Sequence, residues 1–235
     1  MKRQILLFTT LLVAGSALAD TSKKTTKGII QIENLKLPEG AVQLVGEKEH
    51  QFVPAGKEAS LWVFKDGVLT ASPKWDSVVT KAGYRDFQMH MEFNVNDVPN
   101  STNPEGNGNS GVYIQERYEV QILNSFGVSA EDYKDSYCGS IYKIKKPDQL
   151  VSKKAGEWQT YDIAFRAARF EGETKTEDAR ITVYHNGVLI HDDFAIPKKT
   201  GAGHKEGADP GLIKLQGHDN PVRFRNIWIK DLNLE

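Results

Sequence analysis

The chain has 235 residues, of which 39% are hydrophobic and 26% charged, which is enough apolar material for the packed core of one large domain. Thirty basic residues are balanced by 31 acidic ones, so composition offers no basic surface for a nucleic-acid backbone, and we expect no nucleic-acid partner. The single cysteine, Cys138, excludes an internal disulfide and a thiolate zinc cluster. We expect it to be a small buried hydrophobic residue.

The first nineteen residues have the pattern of a secretory signal peptide. Lys2 and Arg3 precede an apolar run from Ile5 to Val13, and residues 15–19 supply small residues in the A-x-A arrangement that signal peptidase requires, with Ala17 and Ala19. This run is shorter than the roughly 20 residues that cross a bilayer. We therefore expect cleavage after Ala19, no membrane span, and a periplasmic or secreted protein.

Strand-length runs rich in β-branched and aromatic residues follow one another along the rest of the chain. They lie at 61–64, 67–71, 77–80, 87–93, 111–114, 118–123, 160–165, 179–184, 188–190, 212–216 and 222–229. Asp66-Gly67 and Asn186-Gly187 are typical of tight hairpin turns. The pattern predicts an all-β fold, an antiparallel β-sandwich or jelly roll, with a leader and first strands at 20–60 and the main domain at 61–235.

Two strands carry polar side chains on one face. Alternation places Glu119 and Gln121 opposite the apolar residues of their strand, and it places Lys214, Gln216 and His218 together on another. Such residues usually face solvent on an open sheet. Nearby aromatic residues favour a second interpretation, a concave site for a sugar ring. Long loops at 94–109 and 197–210 lie close to these strands in sequence.

The order of several short motifs resembles that of the 3-keto-disaccharide hydrolase family over residues 62–232. The motifs are Trp62 with Asp66–Leu69, Tyr84–Phe87, Asn109–Tyr113, Tyr118–Leu123, Gly139–Tyr142, Gly156–Trp158, Asn186–Gly187, Leu215–His218 and Phe224–Ile227. The resemblance implies a concanavalin-like jelly roll related to laminarinases, and an exported enzyme that acts on oxidised mono- or disaccharide glycosides. Asn124 stands where the family usually has Asp, which is harmless if that residue only caps a turn.

The chemistry follows from the substrate that the resemblance implies. Ordinary glycosidases use two carboxylates, whereas the polar strand here offers Glu119 together with Gln121 and Asn124. A ketone at C3 acidifies the C2 proton, so one base can start an elimination that expels the C1 oxygen, and water can then add to the product. This route needs a base, a group that stabilises the enolate oxygen, and an acid at the leaving group.

We assign Glu119 or His218 as the base. The other residue would be the acid or a ligand of a divalent metal ion, which is the one cofactor we consider. Lys214 and Gln216 are expected to hold sugar hydroxyls or the enolate oxygen. The remaining expected substrate-binding residues are Gln121, Trp158, Tyr142 and Asn109. The run Asn109–Gly111 can equally mark a bulge.

Two other functions remain open from the sequence. The chain could be a carbohydrate-binding module without catalysis, or an ordinary glycoside hydrolase. Some polar residues have simpler interpretations: Asp86 and Asn186 as turn residues, and Arg225 as the partner of a carboxylate at a sheet edge.

Overall fold

The computed structural model describes residues 24–32, 36–72, 74–98 and 104–234. The predicted signal peptide lies outside these residues. Within them the chain forms fifteen β-strands and no α-helix. The strands are β1 Val42–Val45, β2 Phe52–Pro54, β3 Val63–Lys65, β4 Val68–Thr70, β5 Val78–Tyr84, β6 Phe87–Asn94, β7 Ser110–Ile114, β8 Tyr118–Ile122, β9 Gln159–Arg166, β10 Arg169–Glu171, β11 Thr174–Glu177, β12 Ala179–His185, β13 Val188–Ile196, β14 Gly211–Leu215 and β15 Arg223–Asp231.

The strands form two large antiparallel sheets and one small hairpin. The eight-stranded sheet has the order β13-β12-β9-β6-β15-β4-β3, with β1 also paired to β15, and the five-stranded sheet has the order β2-β5-β14-β7-β8. The hairpin is β10-β11. Apolar side chains from both large sheets form one buried cluster, in which Met89, Ile163 and Val120 are fully covered. The expected antiparallel β-sandwich is therefore confirmed.

Local sequence explains where the hairpins turn. Asp66 and Asn186 adopt φ angles of 52°, and the glycines that follow adopt 75° and 79°, the positive values that a two-residue turn requires. The turn at Asp66 joins β3 to β4, and that at Asn186 joins β12 to β13. The interpretation of Asn186 as a turn residue is confirmed.

Several side chains fix the frame of the sandwich. Asp86, in the turn between β5 and β6, is buried and accepts hydrogen bonds from the Ala167 amide at 2.8 Å and from the Arg169 guanidinium at 2.7 and 3.0 Å. Arg225 donates to Glu92 at 2.7 Å, so its expected carboxylate partner is present, but the pair joins the interior strands β6 and β15 and not a sheet edge. Cys138 is buried, and burial raises the pKa of its thiol. These residues therefore support the fold.

The N-terminal part of the described chain lies against the eight-stranded sheet. The Thr26 amide donates to Asp193 Oδ1 at 2.8 Å, and the Thr26 hydroxyl lies 2.7 Å from that of Thr182. Asp193 is also paired with Arg180 at 2.7 Å.

No helix within the described ranges is long and apolar enough to cross a bilayer.

Candidate active site

A pocket of about 300 Å³ lies on the face of the five-stranded sheet that points away from the core. Strand pairing builds its floor. Tyr113 on β7 pairs with Glu119 on β8, and Lys214 on β14 pairs with Tyr113, so these three side chains form one row across three strands. Gly111 pairs with Gln121 in the next row. The sequence alternation that separates polar from apolar side chains therefore produces this floor.

Loops cover the floor and bury it. Glu105 and Asn109 come from the loop after β6, Tyr142 and Lys143 come from the segment after β8, and Gly201 and Ala202 come from the loop after β13. As a result Glu119 is only 2% exposed and Gln121 only 1% exposed. For these two residues, the interpretation as a solvent-facing row is wrong.

The carboxylate of Glu119 lies in an environment that disfavours its charge. Burial raises the pKa of Glu119 to about 7, and the nearby Glu105 adds to the rise. A hydrogen bond from the Tyr113 hydroxyl and the positive charge of Lys214 oppose it. A carboxylate with this pKa exchanges a proton near neutral pH, which suits a general base or acid.

Burial also shifts the pKa values of two neighbours of Glu119, Lys214 and Tyr113. The Lys214 ammonium lies 4.1 Å from the centroid of the Tyr113 ring, and burial lowers the pKa of Lys214 against the opposing charges of Glu116 and Glu119. Burial also raises the pKa of Tyr113, so that its hydroxyl stays protonated as a donor. Gln216 Nε2 lies 3.4 Å from that hydroxyl. Gln216 thus donates to the Tyr113 hydroxyl, which in turn donates to Glu119.

Gly111 makes room for the carboxylate. A Cβ atom at this position would lie 2.4 Å from Glu119 Oε1, well inside contact distance. The register of β7 and β8 runs from Ser110 to Ile114 without a shift, so the Asn109–Gly111 run is not a bulge. The small residue is needed because the Glu119 side chain lies across it.

Among the described residues, two acceptor atoms of the pocket have no hydrogen-bond partner. They are Asn109 Oδ1 and Gln216 Oε1, both buried. Asn109 is held in place from its other side, since its Nδ2 donates to the Glu105 carbonyl at 2.6 Å. Buried acceptors without partners are costly unless a ligand or water satisfies them. Their position in the pocket is therefore consistent with binding of a hydroxyl-rich ligand.

Most of the residues singled out in the sequence meet in this pocket. Glu119, Gln121, Gln216, His218, Tyr142 and Asn109 all line it. Gln121 has less freedom than expected, because its amide donates to the Ser136 carbonyl at 3.0 Å and accepts from the Ile122 amide at 3.2 Å. Lys214 lies beside the pocket, in the row described above.

Trp158 is the exception, and its expected placement is wrong. Its ring is stacked under the guanidinium of Arg225, 3.9 Å from the ring centroid, and Arg223 lies 5.7 Å away. The cause is topological: Trp158 directly precedes β9, which belongs to the eight-stranded sheet, whereas the pocket is built on the other sheet.

Among the pocket residues missed in the sequence, three have charged or aromatic side chains and lie in loops. Glu105 is a second carboxylate, so the inference of a single carboxylate was incomplete, and its Oε2 accepts a hydrogen bond from the Tyr142 hydroxyl at 3.2 Å. Trp75 is 67% exposed, and its ring centroid lies 3.7 Å from that of His218. Lys143 follows Tyr142. All three lie outside the strands, where no periodicity marks them.

Asn124 lies outside the pocket and anchors a loop. Its Nδ2 donates to Asp97 Oδ1 at 3.1 Å, Asn107 Nδ2 donates to the same atom at 3.2 Å, and the Asn124 amide donates to the Asn107 carbonyl at 3.0 Å. An amide side chain is suited to this position because its partner is a carboxylate.

The two candidate metal ligands, Glu119 and His218, line the same pocket. Within the described part of the chain, no group of three or more histidine, cysteine, aspartate or glutamate side chains is arranged to hold a metal ion.

The fold is that of a carbohydrate-active, glycosyl hydrolase-like class of β-sandwich protein. Residues 40–230 match the model of the 3-keto-alpha-glucoside-1,2-lyase-like domain, and the chain belongs to that family. No curated protein matches the chain.

Three crystal structures from Parabacteroides distasonis ATCC 8503, each described as a "putative glycosyl hydrolase", resemble the chain. One is 33% identical, with 83% of this chain and 85% of that chain covered and a TM-score of 0.75. Another is 25% identical, with coverage of 82% and 99% and a TM-score of 0.56. The third is 19% identical, with coverage of 83% and 95% and a TM-score of 0.60, and it supports the fold alone.

Proposed function

We propose that the chain is an exported enzyme that cleaves the glycosidic bond of 3-keto-glycosides by elimination followed by hydration. The observation that carries the proposal is Glu119, a buried carboxylate with a pKa of about 7 at the floor of a polar pocket. Family membership supports the substrate class. Export rests on the signal-peptide pattern of residues 1–19.

In the proposed first step, ionised Glu119 takes the proton from C2 of the sugar. The C2–H electron pair forms the C1–C2 double bond as the C1–O bond breaks, and the C3 ketone stabilises the developing charge as an enolate. Lys214 and the Tyr113 hydroxyl, which adjoin Glu119, stabilise that charge. His218 gives a proton to the departing oxygen, and the products are the free leaving group and a 2-hydroxyglucal.

In the second step, water adds to the double bond. Its hydroxyl goes to C1 and its proton goes to His218, which gave up a proton in the first step. The Glu119 carboxyl exchanges its proton with water after the leaving group has departed, and it then protonates C2. The sugar product is the free 3-keto sugar, and Glu119 and His218 are ready for another cycle. Glu119 itself is almost fully covered, which favours proton transfer between positioned groups. The unpartnered oxygens of Asn109 and Gln216 accept hydrogen bonds from sugar hydroxyls.

A chromogenic 3-keto-glucoside tests the proposal. The wild-type chain should release the chromophore, and Glu119→Gln and His218→Ala should each lower kcat/KM by at least roughly a hundredfold, the usual scale for losing a general acid or base. Binding without release would instead support a carbohydrate-binding module. Release that is indifferent to both substitutions would contradict the roles proposed here.

A second function is favoured by one observation, the presence of Glu105 in the pocket with Glu119. An ordinary glycoside hydrolase uses two carboxylates as its catalytic residues. Under that alternative, the unoxidised glycoside would be cleaved, and Glu105→Gln would abolish the cleavage. Under the proposal, the unoxidised glycoside is not cleaved, because its C2 proton is not acidic.

A further inference from the structure

A second and larger cavity adjoins the Glu119 pocket. Its volume is about 730 Å³, and its walls are residues 54–61 and 74–77 together with Glu116, His204 and Lys214. Trp75 lines both cavities, and the row of Lys214, Tyr113 and Glu119 runs from the larger cavity to the smaller one. The two cavities are therefore neighbouring parts of one cleft that share the Trp75 wall.

The smaller cavity alone lies at the lower limit of ligand sites, which range from roughly 300 to 1,000 Å³. Under the proposed function, the glycosidic bond would be broken at the place where the two cavities meet. His218, which protonates the departing oxygen under the proposed function, is in ring contact with Trp75, at a centroid distance of 3.7 Å. A leaving group released at His218 would therefore meet Trp75 and the larger cavity.

The walls of the larger cavity are tied together by hydrogen bonds. Asp76 Oδ2 accepts from the Leu61 amide at 2.7 Å and from the Ser60 hydroxyl at 3.3 Å, and the Asp76 carbonyl accepts from Trp62 Nε1 at 2.9 Å. The Ala55 amide also donates to the Ser77 carbonyl at 2.9 Å. The two wall segments are therefore joined before any ligand arrives.

The Trp75 segment is also packed against the strand end that carries His218. A Cβ atom at Gly217 would lie 1.8 Å from the Asp76 carbonyl oxygen, so the two backbones are in direct contact at this glycine. The Gly217 amide donates to the Ser77 hydroxyl at 3.2 Å. This contact fixes the exposed indole beside His218.

The side chains that line the larger cavity indicate which kind of ligand it can bind. The exposed faces of Trp75 and Leu61 are apolar, whereas Lys57, Glu58 and Lys74 bring charges of both signs. Asp76 Oδ1 is buried, with no hydrogen-bond partner in the part of the chain that the structure describes. This combination suits a neutral ring that stacks on an indole and presents hydroxyls at its edge.

We propose that this cavity is the binding site for a cyclic leaving group and that it makes the enzyme selective for glycosides whose aglycone is a ring. The inference rests on the proposed function. Two sources share the required chemistry: a second sugar ring and a hydroxylated aryl group.

Gly56 provides the test, because it lines the cavity, has no positive φ, and leaves open space where a side chain would be added. Gly56→Trp should fill the cavity without touching Glu119. Val188→Trp is the matched control, since it adds the same ring to an exposed position on the edge strand of the other sheet.

Affinities are measured by calorimetry in a Glu119→Gln background, so that no turnover interferes. The ligands are the methyl 3-keto-glucoside, a hydroxyphenyl 3-keto-glucoside, and a disaccharide oxidised at C3 of its non-reducing ring. We expect at least one ring-bearing ligand to bind about tenfold or more tightly than the methyl glycoside, a difference of about 1.4 kcal/mol. Gly56→Trp should reduce that ratio towards one, and Val188→Trp should preserve it.

The inference is overturned if all three ligands bind within about twofold of one another, or if the preference survives Gly56→Trp. The ligand that shows the preference identifies the leaving group as a sugar or as an aryl ring. A preference seen in binding, with no release by the wild-type chain, would contradict the proposed function and leave this site standing. Release that requires Glu119, with no preference, would contradict the site alone.

Discussion

At the scale of single residues, the chemistry depends on one carboxylate held where its ionisation is costly. Glu119 is buried with Tyr113 and Lys214 beside it, and the net effect is a pKa of about 7. A base with this pKa is half ionised near neutral pH, and it remains strong enough to remove an activated C2 proton.

The pH profile follows from that pKa. Because Glu119 must be ionised to act as the base, kcat/KM should fall on the acid side of the profile, with a midpoint near the Glu119 pKa of about 7. The measurement is the initial rate of 3-keto-glucoside cleavage at low substrate concentration across pH. A rate that is flat from about pH 5 to 8 would contradict Glu119 as the base.

Stability should show the opposite dependence. The pKa of Glu119 is raised above its usual 4.5, so the protonated form stabilises the fold below pH 4.5, and this contribution is lost as pH rises through about 7. Glu119→Gln should therefore be more stable than wild type at about pH 8, by on the order of 1–3 kcal/mol, and the difference should shrink towards pH 4.5. Urea denaturation of both proteins across pH measures it. If wild type were as stable as Glu119→Gln at about pH 8, the ionised Glu119 would not be a costly buried charge.

Gly111 can be tested independently of the carboxylate itself. Gly111→Ala brings a Cβ atom to 2.4 Å from Glu119 Oε1, and the flexible side chain must move away. We expect kcat to fall by roughly a hundredfold, because small displacements of a catalytic group have effects of this size. The thermal midpoint, measured in parallel, should change little. Full activity in this variant would show that the carboxylate position is not critical.

At the scale of elements, the sequence pattern could locate the site residues that lie on strands, but it could not locate those that lie on loops. The alternation in β8 and β14 correctly assigned Glu119 and Gln216 to one face, because strand periodicity is local. Glu105 and Trp75 reach the pocket only through long-range packing of loops, which leaves no periodic signal.

The β10-β11 hairpin was missed because it consists mostly of charged and polar residues and has no apolar run. β1 and β2 lie within the first strands expected at 20–60, but strands of four and three residues were too short to be placed individually. Trp158 was misplaced for a different reason: an aromatic residue near a strand signals burial or binding, but it does not indicate which of the two sheets that strand joins.

The loop after β6 depends on the Asn124 anchor. Asn124→Asp should place a second carboxylate against Asp97, whose Oδ1 now accepts the Asn124 amide at 3.1 Å. We expect KM to rise, with a smaller effect on kcat, because the loop carries Glu105 and Asn109. Adding Asp97→Asn should restore the wild-type KM. A KM that is unchanged in the single variant would mean that this anchor does not control the pocket.

At the scale of the whole molecule, the first described segment is tied to the eight-stranded sheet through Asp193. Burial alone would raise the pKa of Asp193, but hydrogen bonds from Arg180 and from the Thr26 amide outweigh it and lower the pKa to about 2. The ionised carboxylate therefore stabilises the fold above the ordinary value of 3.8, and the contribution is lost as pH falls through about 2.

Asp193→Asn removes that contribution. We expect a loss of roughly 1 kcal/mol in the free energy of unfolding at neutral pH, a value reduced for solvent screening of a partly exposed pair. The difference from wild type should be constant above about pH 4 and should narrow as pH falls towards 2. Urea denaturation at several pH values measures it. A constant difference down to the acid limit would contradict the ionic origin.

The central claim is that cleavage begins with removal of the C2 proton. Cleavage of a 3-keto-glucoside in D₂O, followed by NMR, tests it directly, with the free 3-keto sugar incubated in D₂O without enzyme as the control for spontaneous exchange. Elimination and hydration predict deuterium at C2 of the released sugar from the first turnovers, faster than in the control. A released sugar that keeps its original hydrogen at C2 would contradict the account.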